Sequence, residues 1–148
     1  MPGDRRKGRQ FALQLLHQWE VQQSLDGVSV ERFWADAHTS PRVRSFAMAL
    51  VEGVLAHQAM LERLIGGNLE QWKLSRLPAV VRNVLRLAAC ELAVIRDVPA
   101  PVVINEAVEL TRSFMDDESA RFVNSVLEKI SHAAAASAPP PPTPPAAE

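Results

Sequence analysis

An all-α fold is what this 148-residue chain predicts, and three observations predict it. Apolar residues recur at helical spacing through most of residues 9–131. Cap and breaker residues punctuate those stretches, at Ser40-Pro41, Gly66-Gly67 and Asp97-Val98-Pro99-Ala100-Pro101. No segment alternates with period two between turn signals, as a half-buried strand does. The expectation is a single helical domain of about seven helices over residues 9–131, where roughly 130 residues suffice for one core. A flexible basic arm, residues 1–8, precedes it and a disordered Ala/Pro-rich tail, residues 132–148, comes after it.

The first helix is expected from Arg9 to Gln23, where Phe11, Ala12, Leu15, Leu16 and Trp19 share one arc of a helical wheel, with Gln10, Gln14 and His17 pointing away. A weaker pattern over Val28–Ala37 carries Phe33 and Trp34. Ser40 is placed to cap a helix with Pro41 at its first position. Its period runs from Val43 through Phe46, Leu50 and Val54 and on to Met60, Leu61 and Leu64, where Gly66-Gly67 stops it. A short segment occupies Leu69–Leu74. Pro78 then opens a helix that is apolar nearly all round, from Val80 to Ile95, leaving Arg82 and Arg86 as a narrow polar stripe; such a helix belongs at the centre of a bundle. Two more helices are expected at about 102–113 and 118–130, the second with Phe122, Val123, Val126, Leu127 and Ile130 on one side.

Composition excludes several classes of protein. Sixteen Lys+Arg against 17 Asp+Glu leave a net charge of −1, so the average charge points to no polyanion partner. Cys90 stands alone, which excludes a disulfide scaffold. No uncharged apolar run reaches the ~18 residues of a membrane span. The basic start lacks a secretory apolar region, because Gln10, Gln14, His17 and Glu20 interrupt it, and a soluble cytoplasmic protein is expected. His17 near Glu20, and His57 near Arg63, are single histidines without metal-ligand spacing or a nucleophile to serve. The six glycines form no phosphate-binding loop, and Cys90 lies on the most apolar helix as an inert core thiol. No catalytic residue, metal or cofactor is expected.

Two places suit nucleic acid. Arg5, Arg6, Lys7 and Arg9 lead into the first helix, where Gln14 and His17 add hydrogen-bonding side chains. Guanidinium forks match phosphate, although a basic terminus also serves plain solubility. The second place is the hinge holding Phe114, Asp116, Asp117, Glu118, Ser119 and Phe122. Partly exposed phenylalanines at a helix start can stack bases; the alternative is a core Phe122 with the acids capping the helix. Those acids oppose phosphate, so an RNA role here requires them to accept base or ribose donors. Arg82 and Arg86, with Lys73 and Arg76 just before them, form a locally positive stretch, for which pairing with neighbouring acids is the plainer account.

Four blocks then make a specific resemblance. They are Leu85-Arg86-Leu87-Ala88-Ala89-Cys90-Glu91-Leu92, Asp97-Val98-Pro99, Val103-Ile104-Asn105-Glu106-Ala107-Val108-Glu109-Leu110, and Phe122-Val123-Asn124-Ser125-Val126-Leu127-Glu128-Lys129-Ile130. In this order, after Arg5-Arg6-Lys7-Gly8-Arg9 and the helix with Leu15, Leu16 and Trp19, the chain resembles the NusB family of bacterial transcription antitermination factors over about residues 5–131. The resemblance implies two packed helical subdomains, no reaction and no cofactor. It implies binding of single-stranded boxA-type RNA of rRNA leader transcripts together with NusE, a small-subunit ribosomal protein, within an elongating RNA polymerase complex that contains other Nus factors. Some members instead form homodimers that mask the RNA face.

Carried over residue by residue, the RNA contacts implied are Arg5, Arg6, Lys7, Arg9, Gln14, His17, Phe114, Glu118, Ser119 and Phe122. The partner surface implied is Leu74, Arg76, Val80, Val81 and Val84. The chain departs from the family pattern at His17 and Cys90, where tyrosine is usual, at Val81, where an acid is usual, and at Met115 and Ser125, where glycine is usual. Two other readings are compatible with these residues. One is the helical recognition module of an rRNA methyltransferase, and the other is a homodimeric protein-interaction bundle.

Overall fold

Ten of the twelve residues in the helix Ala79–Cys90 are buried or line the core, and five of the other helices pack on this segment. The computed structural model describes residues 2–137. Within them the order is α1 (Pro2–Gln22), α2 (Gly27–Ala37), α3 (Pro41–Ala56), α4 (Gln58–Gly66), a 3-10 turn at Leu74–Arg76, α5 (Ala79–Cys90), a π-helical turn at Glu91–Ile95, α6 (Ala100–Phe114) and α7 (Asp117–Ser137). The described residues contain seven α-helices and no strand, as the hydrophobic periodicity requires. α1, α3, α4, α6 and α7 all pack on α5, while α1 also packs along α3 and α6 along α7. Among the described residues no helix is long and apolar enough to cross a membrane.

The caps are where the residue chemistry places them. Asp26 accepts the Ser29 N–H at 2.8 Å to start α2, and Ser40 accepts the Val43 N–H at 3.3 Å to start α3. Phe11, Phe33 and Trp34 meet edge to face at centroid separations of 5.0–5.9 Å, tying α2 to α1.

Four boundaries differ from expectation. The arm expected to be flexible is helical from Pro2, because its side chains dock on both neighbours: Arg5 lies over the Phe46 ring of α3 and Arg6 binds Glu106 of α6. The first part of the expected tail, His132–Ser137, is helical and continues α7. Alanine has the highest helix propensity, so a helix already formed extends through it at little cost; residues 138–148, with their prolines, lie outside the described residues. The helix expected from Val43 to Leu64 is broken at His57, whose backbone leaves helical geometry (φ −117°, ψ 23°) between α3 and α4. The central helix gives way to the π turn at Glu91, and Arg96 closes that turn in the left-handed region (φ 60°). A π turn inserts one extra residue and rotates the chain beyond it, a local device common where a particular side chain must be aimed.

Gly8 is a position where the packing permits only a hydrogen. A Cβ there would stand 2.6 Å from Cδ2 of Phe46. Gly8→Ala is expected to cost about 1–3 kcal/mol through overpacking between α1 and α3. Thermal melts of the two proteins check this, and an unchanged midpoint would show that the ring moves aside freely.

Candidate nucleic-acid interface

The basic cluster does not act as one patch, because helical geometry sends its members in different directions. Successive residues differ by about 100° around a helix. Arg5 turns toward α3, its guanidinium 5.1 Å from the Phe46 ring centroid. Arg6 turns toward α6 and forms a two-pronged bond to Glu106, at 3.1 and 3.0 Å. That hydrogen bond holds the Glu106 carboxyl below the ordinary carboxylate value against a partial burial that opposes it. Lys7 is exposed.

Arg9 departs from the expectation. Its guanidinium is buried and gives two 2.8 Å bonds to Glu91, the side chains being 7% and 4% exposed. An RNA phosphate does not reach it in this conformation, so Arg9 holds the fold rather than offering a surface contact. The signal was present in the sequence. Arg9 lies three residues before Ala12 and seven before Leu16, which places it on the core arc, and Glu91 is an acid within the most apolar segment of the chain.

Between α1 and α6 runs a groove of about 210 Å³ lined by Arg6, Arg9, Gln10, Glu106, Glu109, Leu110 and Ser113. Phe114 follows the groove residue Ser113 in sequence and is 49% exposed. The groove thus reaches from the basic end of α1 to the C-terminal turn of α6, just before the hinge. Gln14 and His17 are exposed farther along α1. Gln10, expected only as part of the polar face, contributes to this groove.

At the hinge, Phe122 and Ser119 are half-buried and Glu118 is exposed. Asp116 accepts the Ser119 N–H at 2.7 Å, and this bond holds its carboxyl below the ordinary value. The start of α7 is thus already occupied by a carboxylate. Its backbone does not cradle a phosphate, and what the hinge offers is ring faces and acceptor oxygens. Arg112 is tied to Glu109 and Asp117.

A second groove, of about 300 Å³, joins the hinge to the segment before α5. Glu118, Ser119 and Phe122 line one side, and Trp72, Arg76, Leu77, Pro78 and Val81 the other. Sequence reasoning did not single out Trp72, which is 55% exposed. Arg76 is exposed and Leu74 and Val80 are half-buried, so all three keep contact with solvent. Val81 and Val84 are not available in that way. They are 2% and 1% exposed, because the inward face of α5 is the centre of the bundle. Val84 is core, and Val81 forms only the floor of this groove.

Arg82 and Arg86 are not a free basic stripe. Glu20 of α1 accepts hydrogen bonds from both, and Glu62 of α4 accepts one from Arg86 at 2.7 Å. These four side chains and Trp19, Gln23, Gln58, Leu74 and Ser75 line a further groove of about 790 Å³. Cys90 is buried, and desolvation, reinforced by the charge of Glu91, pushes its thiol up to about 12, which leaves no reactive thiolate at neutral pH. No group of His, Cys, Asp and Glu suited to a metal ion occurs among the described residues.

Comparison with known proteins identifies the family and the fold. Residues 6–132 match the sequence profile described as the NusB family. The transcription antitermination protein NusB of Bacillus subtilis (strain 168) is 42% identical over 126 residues, covering 85% of this chain and 93% of that protein. NusB of Myxococcus xanthus (strain DK1622) is 41% identical over 135 residues, covering 88% and 96%. Among solved structures, a crystal structure of antitermination factors NusB and NusE in complex with dsRNA matches with a TM-score of 0.81 and 25% identity, covering 90% of this chain and 99% of that one.

Proposed function

Since the chain belongs to the NusB family, we propose that it is a non-catalytic RNA-binding antitermination factor. It binds a boxA-type single-stranded element of nascent rRNA leader RNA jointly with a NusE-type ribosomal protein. In the cytoplasm that pair, with other Nus factors, supports processive elongation by RNA polymerase. The observation that carries this reading is the superposition on a NusB from a complex with NusE and RNA. The exposed features fit it: Arg5, Lys7, Gln14 and His17 on α1, then an open groove, then Phe114 and the Phe122 hinge.

The division of labour comes from chemistry. Arg5 and Lys7 supply phosphate contacts, a charge term that orients the strand without reading its sequence. Phe114 and the accessible part of Phe122 supply stacking platforms. Glu118 and Ser119 accept or donate to base and ribose edges. The partner docks over Leu74, Arg76 and Val80, next to the groove that the hinge shares, so RNA and partner meet along one rim. Joint binding then needs no conformational relay, because one occupant borders the other.

The test is a gel shift of the full chain with boxA-type and scrambled RNA, with and without the NusE-type protein, at two salt concentrations. Preference for boxA that strengthens with the partner is expected. Phe114→Ala should weaken binding by roughly tenfold, about the worth of one stacked base. Arg5→Ala combined with Lys7→Ala should lower the log–log salt slope by about 1.4, since each phosphate contact on a single strand contributes roughly 0.7. Affinity indifferent to the partner, to Phe114 and to both cations would overturn the assignment.

A further inference from the structure

Arg5 and Arg6 diverge, and the groove that Arg5 enters belongs to neither the hinge nor the partner surface. It lies between α1 and α3, measures about 520 Å³, and is lined by Asp4, Arg5, Pro41, Arg42, Ser45 and Phe46. Arg42 comes from the first turn of α3, so two helices distant in sequence each place a guanidinium on the wall of one open groove. Both arginines are exposed, and neither is in an ion pair among the described residues. This sets them apart from Arg6, Arg9, Arg82, Arg86 and Arg112, described above, and from Arg44, which binds Glu31; each of these binds a carboxylate.

The groove is also prearranged. The Phe46 ring carries Arg5 at 5.1 Å on its π system and is itself held against Gly8, so the guanidinium has a fixed seat without a neutralising acid. Among the described residues, Asp4 is the only acid on the wall. Two cations against one anion leave the groove positive, and Ser45 adds a hydroxyl donor. The helix end contributes little, because Ser40 already accepts the Val43 N–H, so anion affinity rests on the two side chains.

We propose that this α1–α3 groove is a phosphate clamp for the bound RNA, in which Arg5 and Arg42 hold a backbone phosphate of the strand beyond the segment lying at Phe114 and Phe122. The clamp rests on the RNA-binding reading above and extends it. The strand crosses the basic end of α1 from the α6 side to the α3 side, with Arg42 as an RNA contact and Phe46 as a positioning residue for Arg5. Because a clamp of this kind touches only the backbone, it adds affinity and salt dependence but no base preference.

The experiment compares the wild-type chain, Arg42→Ala and Arg63→Ala by fluorescence anisotropy. The probes are a boxA-type RNA with flanking nucleotides on both sides and the same RNA trimmed to the element alone. Arg63 is an exposed arginine on α4 that lines none of the grooves, and its variant reports the effect of losing one charge anywhere. Arg42→Ala should bind the long RNA about three- to tenfold more weakly than Arg63→Ala does, with a salt slope lower by roughly 0.7. The boxA-over-scrambled ratio and the melting temperature should stay as in wild type, since Arg42 is in no ion pair among the described residues. On the trimmed RNA the two variants should converge. Equal affinity and equal slope of the two variants on the long RNA would overturn the clamp while leaving the RNA reading intact. Failure of the wild-type chain to bind either RNA would instead overturn that reading and the clamp together.

Discussion

Glu91→Ala is expected to lower the stability of the protein by about 3–5 kcal/mol, the cost typical of removing one partner of a buried ion pair. The variant leaves the Arg9 guanidinium, 7% exposed, with no countercharge and two unsatisfied N–H groups that formerly bonded at 2.8 Å. For a domain of this size the melting temperature should fall by on the order of 10–20 °C. The pair joins the first half of α1 to the π turn after α5, so its loss loosens the attachment of α1 to the centre of the bundle. Replacing both members with apolar residues of similar size, Arg9→Met with Glu91→Leu, should recover much of that loss, since the penalty comes from the orphaned charge. Urea and thermal denaturation of the two single variants and the double variant check this. A Glu91→Ala protein melting within a few degrees of wild type would sink the assignment of Arg9 to the fold. The same variants separate two causes of weakened RNA binding. Arg9→Ala should reduce binding only as far as it reduces the folded fraction, whereas Arg5→Ala with Lys7→Ala should reduce it in a fully folded protein.

Acid should destabilise the protein through Glu20. Hydrogen bonds from Arg82 hold its carboxyl at about 2, with Arg86 adding to the effect and burial opposing it, against an ordinary value of 4.5. A carboxyl depressed in the folded state contributes stability in full above its unfolded value and loses it as pH falls toward the folded one. The window therefore runs from about pH 4.5 down to about 2. A shift of this size corresponds to at most about 3 kcal/mol, somewhat reduced because the side chain retains some contact with solvent. Glu20→Gln should thus be less stable than wild type at pH 7 by roughly 2 kcal/mol, and the two should converge near pH 2. Urea midpoints measured across that range check the prediction. Curves that stay parallel would show that Glu20 does not carry the titration. Asp26, Glu70, Glu106 and Asp116 are also held low, so the variant keeps a residual acid sensitivity.

Most of the helices could be read from the chain because they depend on local features: the spacing of Leu15, Leu16, Val84 and Leu85, the Ser40 cap, and the proline before α5. The hinge and the basic segment were legible as candidate sites for the same reason, since exposed aromatics and clustered cations are matters of composition. Function was legible mainly through ordered blocks that resemble a family. The break at His57 and the π turn at Glu91 were less so, because each departs from an otherwise continuous apolar period for the sake of packing elsewhere. Trp72 and Arg42 escaped notice for a different reason. Each is an isolated residue in sequence, and it gains meaning only from Phe122 or Arg5 across a groove.

By itself, then, the order of residues determined that the protein is helical, which segment lies at its centre and which stretches are candidates for holding nucleic acid, because periodicity, caps and charge are properties of short stretches. Only the tertiary structure decided which cations are free. Arg5, Lys7 and Arg42 face solvent, while Arg9, Arg82 and Arg86 are neutralised by Glu91, Glu20 and Glu62 from other helices. A charge is made available or cancelled by what lies within a few ångströms, and the partners that cancel these stand 24 to 82 residues away along the chain.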